Sequence, residues 1–235
     1  MRIMRKLLAQ LGFFMACMSL LPAINNNMNQ KEMQYLKQAI SEALPQMEGW
    51  CSPEKAQAMM DLIFEIKPKI CVEIGVFGGA SIIPTAIALK YLDQGKIYAI
   101  DPWSNQEYTD SCSNPNDVNR KWWESVDMNY IYHYFLGQLR KYNVHNQCIV
   151  LKEKSTTAVE KIKETIDILH IDGNHAELVV SKDIELYFPK VKQGGYIWLD
   201  DVLWGTTKKP YQDLMAKCDF IKSVDKGNCY LLRKR

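Results

Sequence analysis

The chain lacks a C-x-x-C pair, a zinc-type spacing of cysteine with its four histidines, and any N-x-S/T sequon. Nothing in it points to a structural zinc site, a disulfide framework or a glycosylated surface. No block of like charge exceeds the Arg233-Lys234-Arg235 tail, and 29 basic against 27 acidic residues leave a formal charge of +2. The electrostatic footprint of a nucleic-acid binder is missing, so no nucleic-acid partner is expected. Repeats, low-complexity segments and internal linkers are missing as well. What is present is globular composition: 235 residues, 47% hydrophobic, 24% charged and 11% aromatic. Those proportions exclude a disordered tail or a collagen-like repeat and suit one domain with an ample core.

The head departs from that pattern. Arg2, Arg5 and Lys6 precede Leu7 to Ala23, apolar apart from Gln10 and Ser19, and no charge returns until Lys31. A basic region before an apolar one is the pattern of a secretory signal or anchor, although the run is short for a membrane span of about 20 residues. Leu21 is a poor residue for cleavage after Ala23, and Cys17 after Phe14-Met15-Ala16 is a weak acylation match. A start mis-assigned upstream of Met28 or Met33, or an amphipathic helix packed on the body, explains the head equally. We therefore divide the chain into a head, residues 1–27, and one domain, residues 28–235, carrying an insert at about 102–135. Cys71 and Cys148 fall inside apolar runs, where cysteine acts as a small buried hydrophobe. The body is expected to be cytoplasmic, with membrane association through residues 1–23 and homo-oligomerisation left open.

Past the head, the spacing predicts a helix over Gln30 to Ala43. A second starts at Ser52-Pro53-Glu54, where a hydroxyl cap, a proline and an acid open the first turn, and it ends before Pro68. Strands at Ile70–Ile74, Lys96–Ile100, Cys148–Leu151, Ile166–Ile171 and Tyr196–Leu199 then alternate with helices at Ala80–Leu92, Thr157–Lys163 and Ala176–Phe188. A Thr157-x-x-Glu160 capping box is expected to open the second of these, and Asn174, with Glu177 three residues on, to cap the third. Alternation with continuous apolar strands predicts an α/β fold: a doubly wound, Rossmann-like, mostly parallel sheet with helices on both faces. Phe220–Val224 and Cys229–Leu232 flank Lys226-Gly227-Asn228 as a C-terminal antiparallel hairpin. Asp101 to Asn129 is polar and turn-rich, and Trp122, Trp123, Tyr130 and Tyr134 are candidates for a lid.

Ligands of such sheets bind beyond the carboxyl ends of the strands. Four of the five ends carry acids: Glu73 ahead of Gly75-Val76-Phe77-Gly78-Gly79, then Asp101, then Asp172 in Ile171-Asp172-Gly173-Asn174-His175, and finally Asp200-Asp201. Glycines there permit a tight turn and also let a ligand approach free backbone donors. His170, on an apolar strand, reads as a satisfied core histidine, and Asp201 could cap whatever follows.

These residues resemble the class I S-adenosylmethionine-dependent methyltransferases. Val72 to Gly79 looks like their first motif, and Ile100-Asp101-Pro102-Trp103 like their ribose-binding strand end. Ile171 to His175 with Gly194-Gly195-Tyr196-Ile197-Trp198-Leu199-Asp200-Asp201 is similar to a bacterial small-molecule group. That group is related to metal-dependent sugar O-methyltransferases and, more distantly, to catechol O-methyltransferase. The resemblance, over about residues 50–232, implies S-adenosylmethionine as cofactor and O-methylation of a small hydroxylated acceptor, a sugar or polyol. It implies that Glu73 and the backbone at Gly75 and Gly78 hold the methionine end, that Asp101 takes the ribose hydroxyls, and that Lys154 and Ser155 lie near the adenine. Asp172, Asp200 and Asp201 match positions that bind a divalent cation such as magnesium in the metal-dependent members, where clustered carboxylates suit a hard cation. Neighbours on a strand face opposite ways, so Asp200 and Asp201 share one site only if the chain turns there. His175, three residues after Asp172, is the candidate base, and Asp172 its catalytic companion. The sugar-methylating enzymes often place a second acid where this chain has Asn174, which puts their proton route in doubt here. A nicotinamide-dependent oxidoreductase and a non-catalytic, membrane-tethered binding protein are the alternatives, although the glycine run lacks a clean G-x-G-x-x-G.

Overall fold

A computed structural model describes residues 30–110 and 118–235; the head and residues 111–117 of the insert lie outside the described residues. Helix α1 (Gln30–Ala43) leads to α2 (Pro53–Ile66), capped as expected by Ser52, whose side chain accepts from the Lys55 amide. The sheet strands are β1 (Ile70–Ile74), β2 (Lys96–Asp101), β3 (Cys148–Lys152), β4 (Ile166–Ile171), β5 (Val191–Leu199), β6 (Cys218–Val224) and β7 (Cys229–Lys234). The remaining helices are α3 (Ile82–Tyr91), α4 (Asn105–Asp110), α5 (Val118–Ser125), α6 (Met128–Lys141), α7 (Ser155–Ala158), α8 (Glu177–Tyr187) and α9 (Lys208–Met215).

The strand order is β3-β2-β1-β4-β5-β7-β6, with β1 to β5 parallel and β7 antiparallel to both β5 and β6. The expected doubly wound sheet and C-terminal hairpin both form. Strand order reverses between β1 and β4, which is where a crevice opens in such folds. Alternation along each strand divides the core in two. Cys71, Ile97, Ala99, Ile168 and Trp198 pack under α1, α2, α3 and α6, while Val72, Ile100, Leu169 and Leu199 pack under α7, α8 and α9. Among the described residues no helix is long and apolar enough to cross a membrane.

Several local expectations need correction. The helix after β3 starts at Ser155, and the Thr157 hydroxyl donates back to the Lys154 carbonyl, 3.0 Å, instead of capping a helix at Glu160. Asn174 accepts from the Ala176 amide, 2.7 Å, so it closes a side-chain turn ahead of α8 while Ala176 takes the cap position. Within the turn-rich stretch, residues Asn105–Asp110 and Val118–Ser125 are helical. Helix α6 then begins at Asp127, whose carboxylate caps the Tyr130 amide, and buries Ile131, Phe135 and Leu139 in the core. Helix α9, also not expected, sits in the loop after β5.

Helices α7 and α8 are tied by polar contacts under the sheet: the Ser155 hydroxyl donates to Asp183, 2.5 Å, and the Tyr187 hydroxyl donates to the Ser155 carbonyl, 2.7 Å. Burial pushes the Asp183 carboxyl up from 3.8 to about 6, against the Ser155 bond that favours its ionised form. A carboxyl raised by folding contributes stability below its unfolded pKa and loses it as pH rises through the folded value. Between pH 4 and pH 7 this group should withdraw about 2 kcal/mol of stability. The Asp183→Asn variant keeps an acceptor for Ser155. Urea titrations at pH 4.5 and 7.5 should show its stability falling less between the two than that of the wild type; equal falls would refute this role.

Candidate functional site

Period-two alternation decides which side chains meet. Glu73 on β1, Asp101 on β2 and His170 on β4 share the face of Cys71, Ala99 and Ile168, and continuing the alternation past the last residues of β4 and β5 puts Asp172 and Asp200 on that face too. Glu73 pairs in register with His170, and His170 with Trp198, so the three strand ends lie side by side. Helix α2 lies over this face, and its first turn lowers Lys55 onto it.

Lys55 is the residue that sequence reasoning missed. It is 2% exposed, its ammonium donates to Asp172 Oδ2 at 3.1 Å, and it forms a tight ion pair with Asp200 Oδ2. Burial penalises its charge, but Asp172 and the other acids beside it outweigh that and hold its pKa above the ordinary lysine value. The signal was present: Lys55 stands four residues before Met59 and eight before Ile63, on the buried stripe of α2. A lysine there needs a buried anion.

His170 completes the cluster as the satisfied core histidine expected of it. Nδ1 lies 2.9 Å from Glu73 Oε2, and Nε2 lies 3.2 Å from Asp200 Oδ2 and 3.6 Å from Asp172 Oδ2. Burial, with the Lys55 charge nearby, pushes the imidazole down to about 3, so the ring is neutral. Burial also pushes Glu73 up to about 7, against the 2.6 Å hydrogen bond from the Ser81 hydroxyl. A neutral imidazole has one N–H. The single N–H can therefore be given to only one of Glu73 and Asp200. Glu73 is thus fully buried and engaged on both oxygens.

Asp101 is held differently. Its Oδ2 accepts from the Val76 and Phe77 amides, both 3.0 Å, and its Oδ1 from the Trp103 amide, 2.7 Å, and the Tyr108 hydroxyl, 2.6 Å. Burial raises its pKa in spite of these four donors. The same bonds pin the glycine turn to the end of β2. Gly75 has φ +85° and a Cβ there would stand 2.1 Å from the Asp172 carbonyl, so the β1 turn and the β4 end touch backbone to backbone. A Cβ at Gly78 would meet Glu48, 2.4 Å away, because the segment before α2 crosses the turn. Tyr134 fastens that segment, accepting from the Glu48 amide and donating to the Gln46 carbonyl.

Asp201 leaves the strand with φ +55° and turns away from Asp200. Its Oδ2 takes His175 Nε2 at 2.6 Å and its Oδ1 accepts from Asn228, 3.1 Å. Burial pushes this carboxyl up, but the bonds from His175 and Asn228 and the charge of Lys55 prevail and hold it below its ordinary range. The His175 ring, one-third exposed, also lies against Trp204, centroids 4.5 Å apart. The three acids expected to hold a metal therefore do not converge. Asp172 and Asp200 meet with His170, their candidate ligand atoms within 4.8 Å of one another. Asp201 belongs to a separate pair with His175, and the Lys55 ammonium already bonds the two Oδ2 atoms that a cation would share. A divalent cation does not fit this arrangement with Lys55 in place.

Lys154 is exposed and pairs with Glu107 of α4, 2.5 Å, while Ser155 is held by Asp183. Of the aromatics expected in a lid, Trp122 lies 6.1 Å from Phe77 of the glycine turn and 5.4 Å from Trp50. Trp123 stacks on Tyr108 at 4.3 Å. Trp50, 64% exposed, and Trp122, 40% exposed, form an open apolar rim beside the turn. A groove of about 390 Å³ runs from Leu44 past Trp50 and Cys51 to Asp225.

Comparison with known proteins agrees with this fold. A caffeoyl-CoA O-methyltransferase of Stellaria longipes is 25% identical over 187 residues, covering 75% of this chain; the chain spans 65% of that relative's length. The SAM complex of the O-methyltransferase TomG of Streptomyces achromogenes superposes with a TM-score of 0.58 at 15% identity, over 92% of each chain. The SAH-bound methyltransferase PaMTH1 of Podospora anserina superposes with a TM-score of 0.59 at 14% identity, over 92% of this chain and 100% of that one. At those identities the two structures speak for the fold. The methyltransferase-domain family model matches residues 72–202, more than half of the chain and the whole run from β1 past Asp201, which sets aside the nicotinamide oxidoreductase. The chain belongs to the methyltransferase-domain family and carries the class I fold of the S-adenosylmethionine-dependent enzymes.

Proposed function

We propose that the protein transfers a methyl group from S-adenosylmethionine to a hydroxyl oxygen of a small acceptor, with His175 as the base. The observation that carries this reading is the His175–Asp201 pair at the mouth of the crevice, 2.6 Å apart, beside the glycine turn and the strand-end carboxylates. S-adenosylmethionine supplies an electrophilic methyl on a sulfonium. The backbone at Gly75 and Gly78 would cradle its methionine end, and Asp101 would take the ribose hydroxyls, one of them in place of the Tyr108 hydroxyl now on Oδ1. Glu73, buried and bonded to Ser81 and His170, would support the turn from beneath. Lys154 and Ser155 would border the adenine from the end of β3.

The acceptor hydroxyl would lose its proton to His175 as its oxygen bonds the methyl carbon and the carbon–sulfur bond breaks, its electron pair staying on the sulfur of S-adenosylhomocysteine. His175 as a positioned base would be worth on the order of 10²–10⁴ in rate, and the ionised Asp201 would orient the ring and stabilise the imidazolium. Asp172, whose side chain is 20% exposed, would meet the acceptor at the floor of the crevice. Positioning supplies the rest, since displacement at carbon requires an in-line approach. The acceptor we favour is a sugar or polyol, as the resemblance implies, laid against the Trp50 and Trp122 rim. An aromatic hydroxyl is a second reading, favoured by the same exposed rings and by the caffeoyl-CoA relative.

Two outcomes are expected. Calorimetry with S-adenosylhomocysteine should show binding by the wild type, and Asp101→Asn should weaken it about tenfold or more, the loss of a charged hydrogen-bond acceptor costing about 1.5–3 kcal/mol. No binding by the wild type, or unchanged affinity in the variant, would refute the cofactor assignment. With labelled S-adenosylmethionine and a panel of sugars, polyols and catechols, the best acceptor should lose about 10²-fold or more in kcat with His175→Ala, with S-adenosylhomocysteine affinity retained. Asp201→Asn should lose less. A His175→Ala enzyme at wild-type kcat removes the base, and cofactor binding without turnover of any acceptor favours the non-catalytic binding protein.

A further inference from the structure

The cluster at the ends of β4 and β5 contains the oxygens and nitrogen of a cation site, together with a cation that belongs to the chain. His170 Nε2, Asp172 Oδ2 and Asp200 Oδ2 converge there, and the ammonium that bonds both carboxylates comes from the first turn of α2. We propose that the Lys55 ammonium takes the place of a divalent metal ion at these strand ends, making the site metal-independent. The argument is one of occupancy. Two positive centres cannot bond the same pair of carboxylate oxygens at hydrogen-bond and coordination distance without severe repulsion. Lys55 is 2% exposed and lies between α2 and the sheet, so its ammonium is seated where the ion would have to bind.

The remaining acid argues the same way. Asp201, which would complete an oxygen-rich shell, is turned to His175 and Asn228. A hard cation asks for six or more oxygen ligands, several of them charged, and this cluster offers it two carboxylates already bonded to an ammonium. Lys55 acts as a positioning residue: it holds Asp172 and Asp200 together, so that Asp172 keeps its place at the crevice floor. The use of that floor for methyl transfer rests on the function proposed above; the charge replacement does not.

The test reads metal binding directly. Purified full-length protein is titrated with Mn²⁺ and followed by the electron paramagnetic resonance signal of the free ion, alongside melting curves with Mg²⁺, Mn²⁺ or EDTA. The wild type should leave the free-ion signal intact and melt at one temperature in all three. Lys55→Ala uncovers the carboxylates and should bind Mn²⁺ about tenfold or more tightly than the wild type, with a melting temperature that rises on adding the ion. Asp172→Asn in that background should abolish the gain. A wild type that takes up Mn²⁺ with one-to-one stoichiometry overturns the proposal, as does a folded Lys55→Ala that gains no affinity. Should the alanine variant fail to fold, Lys55→Gln, which keeps the stem without the charge, carries the same comparison, and the wild-type titration decides alone if both fail. S-adenosylhomocysteine calorimetry on the same samples separates the two ideas. Lost cofactor binding with metal indifference refutes the methyltransferase reading and leaves Lys55 in its role; cofactor binding with Mn²⁺ uptake does the reverse.

Discussion

Carboxylates crowded on one buried face repel by about 4 kcal/mol per pair at 4 Å when the effective dielectric is about 20, so this sheet can end on acids only if each finds its own compensation. Each does so by different means. Asp101 draws four donors, three of them backbone amides, and so converts its charge into a clamp on the glycine turn. Glu73 is pushed up to about 7 by burial and lies in hydrogen-bond contact with His170. Asp172 and Asp200 remain as the pair that hydrogen bonds alone do not neutralise, and Lys55 answers them. Removing one partner of such a buried pair costs about 3–5 kcal/mol, because the other is left charged in a dry environment. That contact and the apolar packing of Met59, Met60 and Ile63 beneath the helix together join α2 to the sheet.

The same face explains why the crevice opens where it does. At the β1–β4 boundary helices cross to opposite sides of the sheet, leaving the strand ends uncovered. The Gly75 turn closes against the Asp172 carbonyl with no room for a side chain, so the β1 and β4 ends form one rigid lip. Above it the segment before α2 crosses Gly78, tied down by Tyr134 of α6. The lip is built from backbone, and the aromatic rim above it, Trp50, Phe77 and Trp122, from side chains on separate elements. Cofactor recognition would belong to the rigid part and acceptor choice to the adaptable part, which is how related folds host different chemistries.

Much of this was legible in the sequence. Helices α1 and α2 and strands β1, β2 and β4 lie where periodicity and the Ser52-Pro53-Glu54 start place them, because their signals are local. Helix α6 escaped because its run from Met128 mixes tyrosines and a histidine among Ile131, Phe135 and Leu139, masking a helical stripe behind poor helix formers. Helix α7 was displaced because Thr157 and Glu160 imitate a capping box, while Ser155 was already held by Asp183 from a distant helix. The acids were found because strand ends can be located. Their partition was not, because it depends on the left-handed turn at Asp201, which separates two neighbouring carboxylates into two sites. Lys55 was visible as a charge on an apolar stripe, but its partners are 117 and 145 residues away.

A tethered ammonium and a metal ion differ in what they leave behind. A divalent cation would cancel Asp172 and Asp200 and polarise an acceptor oxygen, lowering its pKa as a Lewis acid. Lys55 cancels one charge and, as a hydrogen-bond donor only, offers an acceptor oxygen no Lewis-acid coordination. Two consequences follow for the proposed reaction. Proton removal would fall on the His175–Asp201 pair, which the left-handed turn at Asp201 sets apart from the contact of Lys55 with Asp172 and Asp200. The one negative charge remaining at Asp172 and Asp200 favours a positively charged ligand in the crevice, and the sulfonium of the methyl donor is one. Because that positive charge disappears as the methyl leaves, the attraction strengthens binding of the donor more than it stabilises the transition state. On the proposed reading the Lys55 cluster would serve occupancy and alignment, and the rate would rest with the base.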